Sequence, residues 1–271
     1  KYLLTGATGH LGANLVRRLL ADGRDVRVLV RAKDEPENVA IDGLPVEVAY
    51  GDLRDPDAVR AAMEGIGAVY HAAAKIQTYV GGEREIYDSN VLGTRNVLRA
   101  AKAAGAGRVV VTGSLSAVGV TPGRASNEDD PFYPFDKHLP YGFTKAFVEH
   151  ECWKAVAEGQ DVVVATSCAI LGPNDYFPSR MGAMVRDFAN GKMKAYLPGG
   201  FDFVAARDIC EGHVLAMEKG RTGQKYIISS EFFEVDEMMG RLKRITGRPR
   251  PPLHLSPGVM NVFAHISSFV L

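Results

Sequence analysis

The chain is short of the features that would mark it as secreted, metal-bound or nucleic-acid-binding. Only three cysteines, Cys152, Cys168 and Cys210, are scattered over its 271 residues. Their spacing excludes a disulfide framework and a cysteine-ligated metal centre, and fits reduced thiols in a core. There is no excess of either charge: 32 basic residues balance 32 acidic ones, so neither nucleic acid nor an anionic membrane surface is an expected partner. No apolar run approaches the roughly 20 residues that span a bilayer. No leader precedes the first apolar segment, which places the expected location in the cytoplasm. Internal repeats, low-complexity tracts and a metal-ligand set are missing too. The apolar stretch 259–271 fits a packed helix, a peripheral membrane contact or the start of a longer segment.

What is present is concentrated at the start. The first twelve residues read KYLLTGATGHLG: an apolar run, then Gly6, Gly9 and Gly12, then leucines at helical spacing (Leu11, Leu15, Leu19 and Leu20). Strand, glycine turn and helix form the context in which a glycine fingerprint binds a dinucleotide. The first glycine serves a tight turn, the second admits a pyrophosphate, and the third allows close helix–strand packing. The helix N-terminus adds unpaired N–H groups and a positive dipole end. Gly6, Thr8, Gly9, His10, Leu11 and Gly12 are therefore candidate cofactor contacts. Residues 25–31 (DVRVLVR) form the expected second strand. A carboxylate near this strand end suits the ribose 2′-OH of NAD, whereas an arginine accommodates a 2′-phosphate. Arg31 therefore points to NADP, although a solvated basic turn with Lys33 is the plainer alternative.

Further strands are expected at 46–50, 68–71, 108–112, 161–165 and 226–229. Asp55-Pro56 opens a helix, and others are expected at 86–104, 141–158, 181–190 and 235–246, with one following 201–208. Ala72 and Ala73 follow a strand end, where small residues let a ligand approach. Residues 76–85 and 121–140 read as loops, and the length of the second suggests a functional one.

Tyr141 and Lys145 are four apart on an expected helix and so share a face. An ammonium beside a phenol favours the phenolate, making tyrosine a usable proton donor or acceptor near neutral pH. Ser114, at the end of a central strand beyond Thr112, can hydrogen-bond the same substrate oxygen. With NADPH alongside, this set describes hydride transfer to a carbonyl. Tyr133 and Lys137 match the same spacing, but among Pro131, Pro134 and Pro140 a sustained helix is not expected.

Taken together, Thr5-Gly6-x-x-Gly9-x-x-Gly12, Asp52-Leu53, Asn90, Ser114, Tyr141-x-x-x-Lys145 and the Phe203-Val204, Arg207-Asp208 pairs resemble the extended short-chain dehydrogenase/reductases. The VRVLVR strand resembles the dihydroflavonol reductase-like branch of that epimerase/dehydratase superfamily. Sugar-nucleotide epimerases tend instead to have an acidic strand end, where Val30 stands here, and a Tyr-Gly-Pro version of Leu171-Gly172-Pro173. The resemblance implies an α/β fold, a Rossmann doubly wound parallel sheet with a small C-terminal substrate-binding region. The division expected is an NADP-binding domain over 1–172 and a mainly substrate-binding region over 173–271, with elements returning to the Rossmann core. It further implies that Asp52 and Leu53 lie near the adenine and that Lys145 holds the nicotinamide ribose. Ser167 stands where these reductases usually have proline, beside the expected nicotinamide site.

The expected activity is NADPH-dependent reduction of an apolar or aromatic ketone or aldehyde. Ser114 would orient the carbonyl, Tyr141 would act as acid, and Lys145 would tune it. Phe132, Tyr133, Phe135, Tyr176, Phe177, Met181 and Tyr79 are candidate walls, with ordinary packing the alternative for each. Lys192, Lys194 and Arg207 leave room for a nucleotide-sugar. His71, His138 and His150 read as structural or solvated. An NAD(P)-dependent epimerase, a β-hydroxysteroid dehydrogenase-like enzyme and an NADP-sensing binding protein without chemistry are the alternatives. Homodimerisation, common in the family, would use the Asn90 and Tyr141 helices.

Overall fold

The computed structural model describes residues 1–33, 35–77, 81–135 and 139–254; the readings made for Tyr79, Lys137, His138 and 259–271 fall outside them. The first half alternates strand and helix: β1 (Tyr2–Thr5), α1 (His10–Ala21), β2 (Val26–Val30), β3 (Glu47–Tyr50), α2 (Pro56–Ala62) and β4 (Ala68–His71). There follow α3 (Glu83–Tyr87), α4 (Gly93–Ala103), β5 (Val109–Ser114), α5 (Pro140–Ala157) and β6 (Val162–Ser167). Beyond them come β7 (Ala169–Leu171), α6 (Arg180–Ala189), β8 (Ala195–Tyr196), β9 (Gly200–Ala205), α7 (Ala206–Lys219) and β10 (Lys225–Ile228). The described elements end with β11 (Glu231–Glu234), α8 (Val235–Thr246) and β12 (Leu253–His254).

Seven strands form one parallel sheet in the order β3-β2-β1-β4-β5-β6-β10. Valine runs such as Val109 to Val111 and Val162 to Val164 are wholly buried because helices cover both faces. On one face α2, α4 and α5 contribute Val59, Val97, Leu98, Val148 and Cys152 to the core. On the other, α1 and α7 contribute Leu11, Leu15, Val16, Ile209 and Cys210. The order of strand addition reverses between β1 and β4, and a crevice opens at the carboxyl ends of the strands there, as the doubly wound topology requires.

A second, three-stranded sheet (β11-β9-β7) packs with α6 and α8 around Phe188, Phe203, Val235, Met238 and Met239. β8 and β12 form a two-stranded piece beside it. These short strands are not among the sequence expectations.

Three expectations need correcting. The loop over 76–85 ends early, because α3 already begins at Glu83. The single helix expected over 86–104 is instead α3, a wide π-type turn over Asp88–Leu92, and α4. That turn carries Asn90, and such wide turns are frequent at functional sites. Cys168 is half-buried, unlike the core thiols Cys152 and Cys210. The long loop before α5 is tied down by Asp130, which accepts from the Thr121 hydroxyl (2.8 Å), Asn127 N–H (2.8 Å) and Arg124. These donors hold its carboxyl far below the usual carboxylate range.

Candidate active site

The crevice contains a cavity of about 400 Å³ lined by the ends of four neighbouring strands. Thr5, Gly6, Thr8 and Gly9 follow β1, Val30 and Arg31 end β2, Asp52 and Leu53 follow β3, and Ala72 to Lys75 follow β4. Eight of the expected cofactor residues thus meet in one place: Gly6, Thr8, Gly9, Arg31, Asp52, Leu53, Ala72 and Ala73.

The glycine turn is built from backbone alone. Gly6 has φ +77°, and a Cβ there would lie 2.5 Å from Ala73 N. A Cβ on Gly12 would lie 2.0 Å from the Gly6 carbonyl oxygen, so α1 sits directly on the turn. Gly9 is the N-cap of α1 and supplies no side-chain cap, and the first turn has no acidic residue. This leaves the positive helix end for an anion. The His10 ring points elsewhere: its Nε2 donates to Pro173 O (3.1 Å), and Nδ1 lies 3.9 Å from Asp175. Asn14 also donates to Pro173 O (2.9 Å), and Arg17 donates to the Tyr176 hydroxyl (2.9 Å). The segment after Gly172 is thereby fastened to α1. Leu11 is buried in the core.

Ser114 ends β5 and Tyr141 lies in the first turn of α5, where the serine hydroxyl bears on the phenol. The same Ser114 oxygen accepts from Ser116 N–H (3.2 Å), fixing its position. Burial raises the Tyr141 phenol above its ordinary value, while the Ser114 contact works against that rise. The lowering expected from Lys145 is not found: Ser114 alone opposes the effect of burial. Lys145 donates from Nζ to Thr112 O (2.6 Å). It is 4 % exposed, and burial pulls its ammonium down to about 8, with Cys152 and Glu149 acting in the opposite sense. Glu149 pairs in turn with Lys225 on β10 (3.1 Å). Ser167 ends the next strand in register with Ser114 and donates to Cys168 O (2.9 Å).

Thr112 is braced by a residue the sequence did not single out. His213 on α7 donates from Nδ1 to Ile209 O (2.8 Å), so its Nε2 accepts from the Thr112 hydroxyl (2.9 Å). Burial pushes this imidazole down to about 4, which keeps it neutral.

His71 is structural, as expected, but part of a directional chain. The Thr94 hydroxyl donates to Asn90 O (2.6 Å), so it accepts from His71 Nε2–H (2.9 Å). His71 Nδ1 then accepts from the Thr5 hydroxyl (2.7 Å), whose oxygen receives Ala73 N–H (3.3 Å). Burial, helped by the Lys145 charge, lowers this imidazole to about 3. The Asn90 side chain accepts from Lys75 N–H (2.7 Å) and donates to Lys75 O (3.0 Å) and the Thr144 hydroxyl (3.2 Å). Thr144 donates to Tyr141 O (2.8 Å). The wide turn therefore joins the end of β4 to the first turn of α5.

Lys145 gives a signed stability prediction. Its pKa in the fold is about 8, against 10.5 in the unfolded chain. Below pH 8 the fold bears the cost of a buried ammonium, and that cost fades as pH rises from 8 toward 10.5. Lys145→Met is expected to stabilise the protein at pH 7 by about 1–2 kcal/mol after loss of the Thr112 bond. Thermal melts at pH 7 and pH 10 test this: the gain must be present at the first and nearly gone at the second. A lower melting temperature at pH 7 would contradict it.

The expected wall residues are divided. Phe132 packs edge-on against Phe143 of α5 (5.5 Å between centroids), and Met181 joins the third core cluster. Tyr133 and Phe135 pack on each other, both exposed. Phe177 is exposed, and Arg207 pairs with its neighbour Asp208. His150 is an exposed neighbour of Phe147. Among the described residues no cluster of histidine, cysteine or acidic side chains suits a metal ion, and no helix is long and apolar enough to cross a membrane.

The fold and this cleft define a Rossmann-type nucleotide-dependent protein, and comparison with known proteins specifies the group. The sequence model of the NAD dependent epimerase/dehydratase family matches residues 2–229, and the chain belongs to that family. It is 45% identical over 262 residues to sterol demethylase protein B of Methylococcus capsulatus, covering 97% of this chain and 79% of that protein. A putative dihydroflavonol 4-reductase of Synechocystis is 36% identical over 276 residues, covering 100% of this chain and 79% of that one. Among solved structures, a dTDP-glucose 4,6-dehydratase double mutant from Streptomyces venezuelae with NAD bound superposes with a TM-score of 0.83. It is 25% identical, over 94% of this chain and 84% of that one. The chain is thus an extended short-chain dehydrogenase/reductase with reductase-named relatives.

Proposed function

We propose that this protein is an NADP(H)-dependent dehydrogenase/reductase that interconverts an apolar ketone or aldehyde with its alcohol. The observation that carries the reading is Ser114 at the end of β5 beside Tyr141 in the first turn of α5, with Lys145 one turn along the same helix and anchored on Thr112 O. The cleft suits a dinucleotide: the Gly6–Gly12 contact leaves no room for a Cβ, and the uncapped α1 terminus faces the strand ends. Gly6, Thr8, Gly9 and the α1 N-terminus would hold the pyrophosphate. Asp52 and Leu53 would border the adenine, Arg31 would receive the 2′-phosphate, and Lys145 would reach the nicotinamide ribose. The bound nucleotide supplies the hydride.

The protein's own part is proton chemistry and orientation. Ser114 donates a hydrogen bond to the carbonyl oxygen and fixes it beside Tyr141. Tyr141 delivers its phenolic proton to that oxygen as negative charge develops there. Lys145, predominantly charged below about pH 8, stabilises the phenolate left behind. His213 and Thr112 fix the strand that carries the Lys145 acceptor. In the reverse direction Tyr141 takes the proton from the alcohol.

For substrate, residues 173–254 would form most of the wall, and the 45% identity to a sterol demethylase component favours a fused-ring alcohol or ketone over a sugar nucleotide. The first test follows NADPH and NADH absorbance across steroid ketones, aromatic ketones and aldehydes, and aliphatic ones. Consumption is expected on the cyclic and aromatic compounds. Tight nucleotide binding with no turnover on any compound, in either direction, would favour a non-catalytic sensor. Co-purifying NAD with no net oxidation would favour an epimerase.

A further inference from the structure

The adenosine end of the cavity carries four carboxylates against three cations, and each cation is already held. Arg31 lies 3.2 Å from Glu37 and 3.5 Å from Glu35. Arg54 grips Asp52 through two bonds of 2.9 and 2.7 Å, and Lys75 pairs with Glu85. All of these residues line the cavity. The two glutamates around Arg31 are held by local structure. Asn38 donates to the carbonyls of Ala32 and Lys33, 2.8 Å each, closing the turn that presents them. Pro36 then starts the short 3₁₀ helix Pro36–Ala40. One oxygen of Glu37 is buried with no hydrogen-bond partner, so its carboxylate remains incompletely satisfied even with Arg31 beside it.

We propose that Glu35 and Glu37 are specificity-determining residues that compete with the 2′-phosphate of NADP(H) for Arg31, so that NADH is bound almost as well as NADPH. The inference rests on the cofactor reading above. A ribose 2′-phosphate carries close to two negative charges and must approach a guanidinium flanked by two carboxylates. It either displaces them or shares the arginine at close range with like charge. A free 2′-hydroxyl is neutral, can donate to a carboxylate, and leaves the Arg31 pairs intact. Charge at this site therefore opposes the arginine's own preference, and discrimination is compressed.

The test is isothermal titration of NADPH and NADH into the wild type, the Glu35→Gln/Glu37→Gln double variant, and Arg31→Gln. In the wild type, NADPH is expected to be favoured by no more than about tenfold. The double variant is expected to bind NADPH about tenfold more tightly, a change of about 1.4 kcal/mol, with NADH no tighter than before. Added salt is expected to weaken NADPH binding more steeply in that variant. Arg31→Gln is expected to remove the NADPH advantage. A wild-type preference of a hundredfold or more, or an unmoved affinity ratio in the double variant, overturns the role of the glutamates while leaving the cofactor site standing. Failure of every form to bind either nucleotide, with melting curves showing them folded, overturns the site itself.

Discussion

Tyr141→Phe is expected to lower kcat by about a thousandfold, within the range that a positioned general acid contributes. The phenyl ring preserves the packing of the first turn of α5, and the backbone contact of Thr144 with Tyr141 O does not involve the lost hydroxyl. Ser114 keeps its place through Ser116 N–H. Lys145 keeps its bond to Thr112 O, so the proposed ribose contact is unaffected. Nucleotide affinity should therefore stay within about twofold while turnover collapses, the pattern of an interaction made only in the transition state. Steady-state kinetics and a binding titration on the same preparation separate the two effects. A variant retaining more than a tenth of wild-type kcat would remove Tyr141 from the proton path and point to water or Ser114 instead.

Gly12→Ala is expected to be the most disruptive single methyl group in the nucleotide half. The added carbon would lie 2.0 Å from Gly6 O, 2.6 Å from Gly6 C and 2.8 Å from Ala7 Cα, all of them backbone. No side chain can swing away, so α1 and the turn must separate. Gly6 O also accepts Gly9 N–H at 3.1 Å, so that displacement deforms the phosphate turn itself. A destabilisation of about 3 kcal/mol follows from overpacking of this kind, together with loss of measurable nucleotide binding. Gly9→Ala is the control. A Cβ there meets only Gly6 O at 3.5 Å, and the Gly9 backbone (φ −83°) suits alanine. It should melt within a degree or two of wild type yet bind nucleotide more weakly, because the methyl occupies space the pyrophosphate approaches. Equal melting temperatures for Gly12→Ala and wild type would show that the turn has slack the structure denies.

Much of the fold was legible because its information is local. The strand–glycine–helix start, the valine runs and the Tyr141–Lys145 spacing each lie within one element or one turn. What escaped is pairing between distant segments. Residues 169–171 and 231–234 become strands only because β9 lies between them. Neither is long enough to show a period. His213 and Thr112 are 101 residues apart, and nothing in either neighbourhood announces their bond. Arg31 is recognisable as a cation at a strand end, whereas no local pattern ties Glu35 and Glu37 to it. The π-type turn at Asn90 lay inside a sound helical pattern, which conceals one extra residue per turn.

The position of β10 has a consequence for the chain as it leaves the ribosome. β6 ends at Ser167, yet the strand that covers its outer edge begins only at Lys225. At about 5–20 residues per second, that edge waits several seconds with its backbone groups unpaired. α7, which seals one face of the sheet, is also made in that interval. The nucleotide half is therefore an unfinished object throughout the synthesis of the segment between them, open to strand addition by another nascent chain. A polypeptide cut at the end of the sixth strand would keep that exposure permanently, although every residue of the glycine turn and of the Ser–Tyr–Lys set would be present in it.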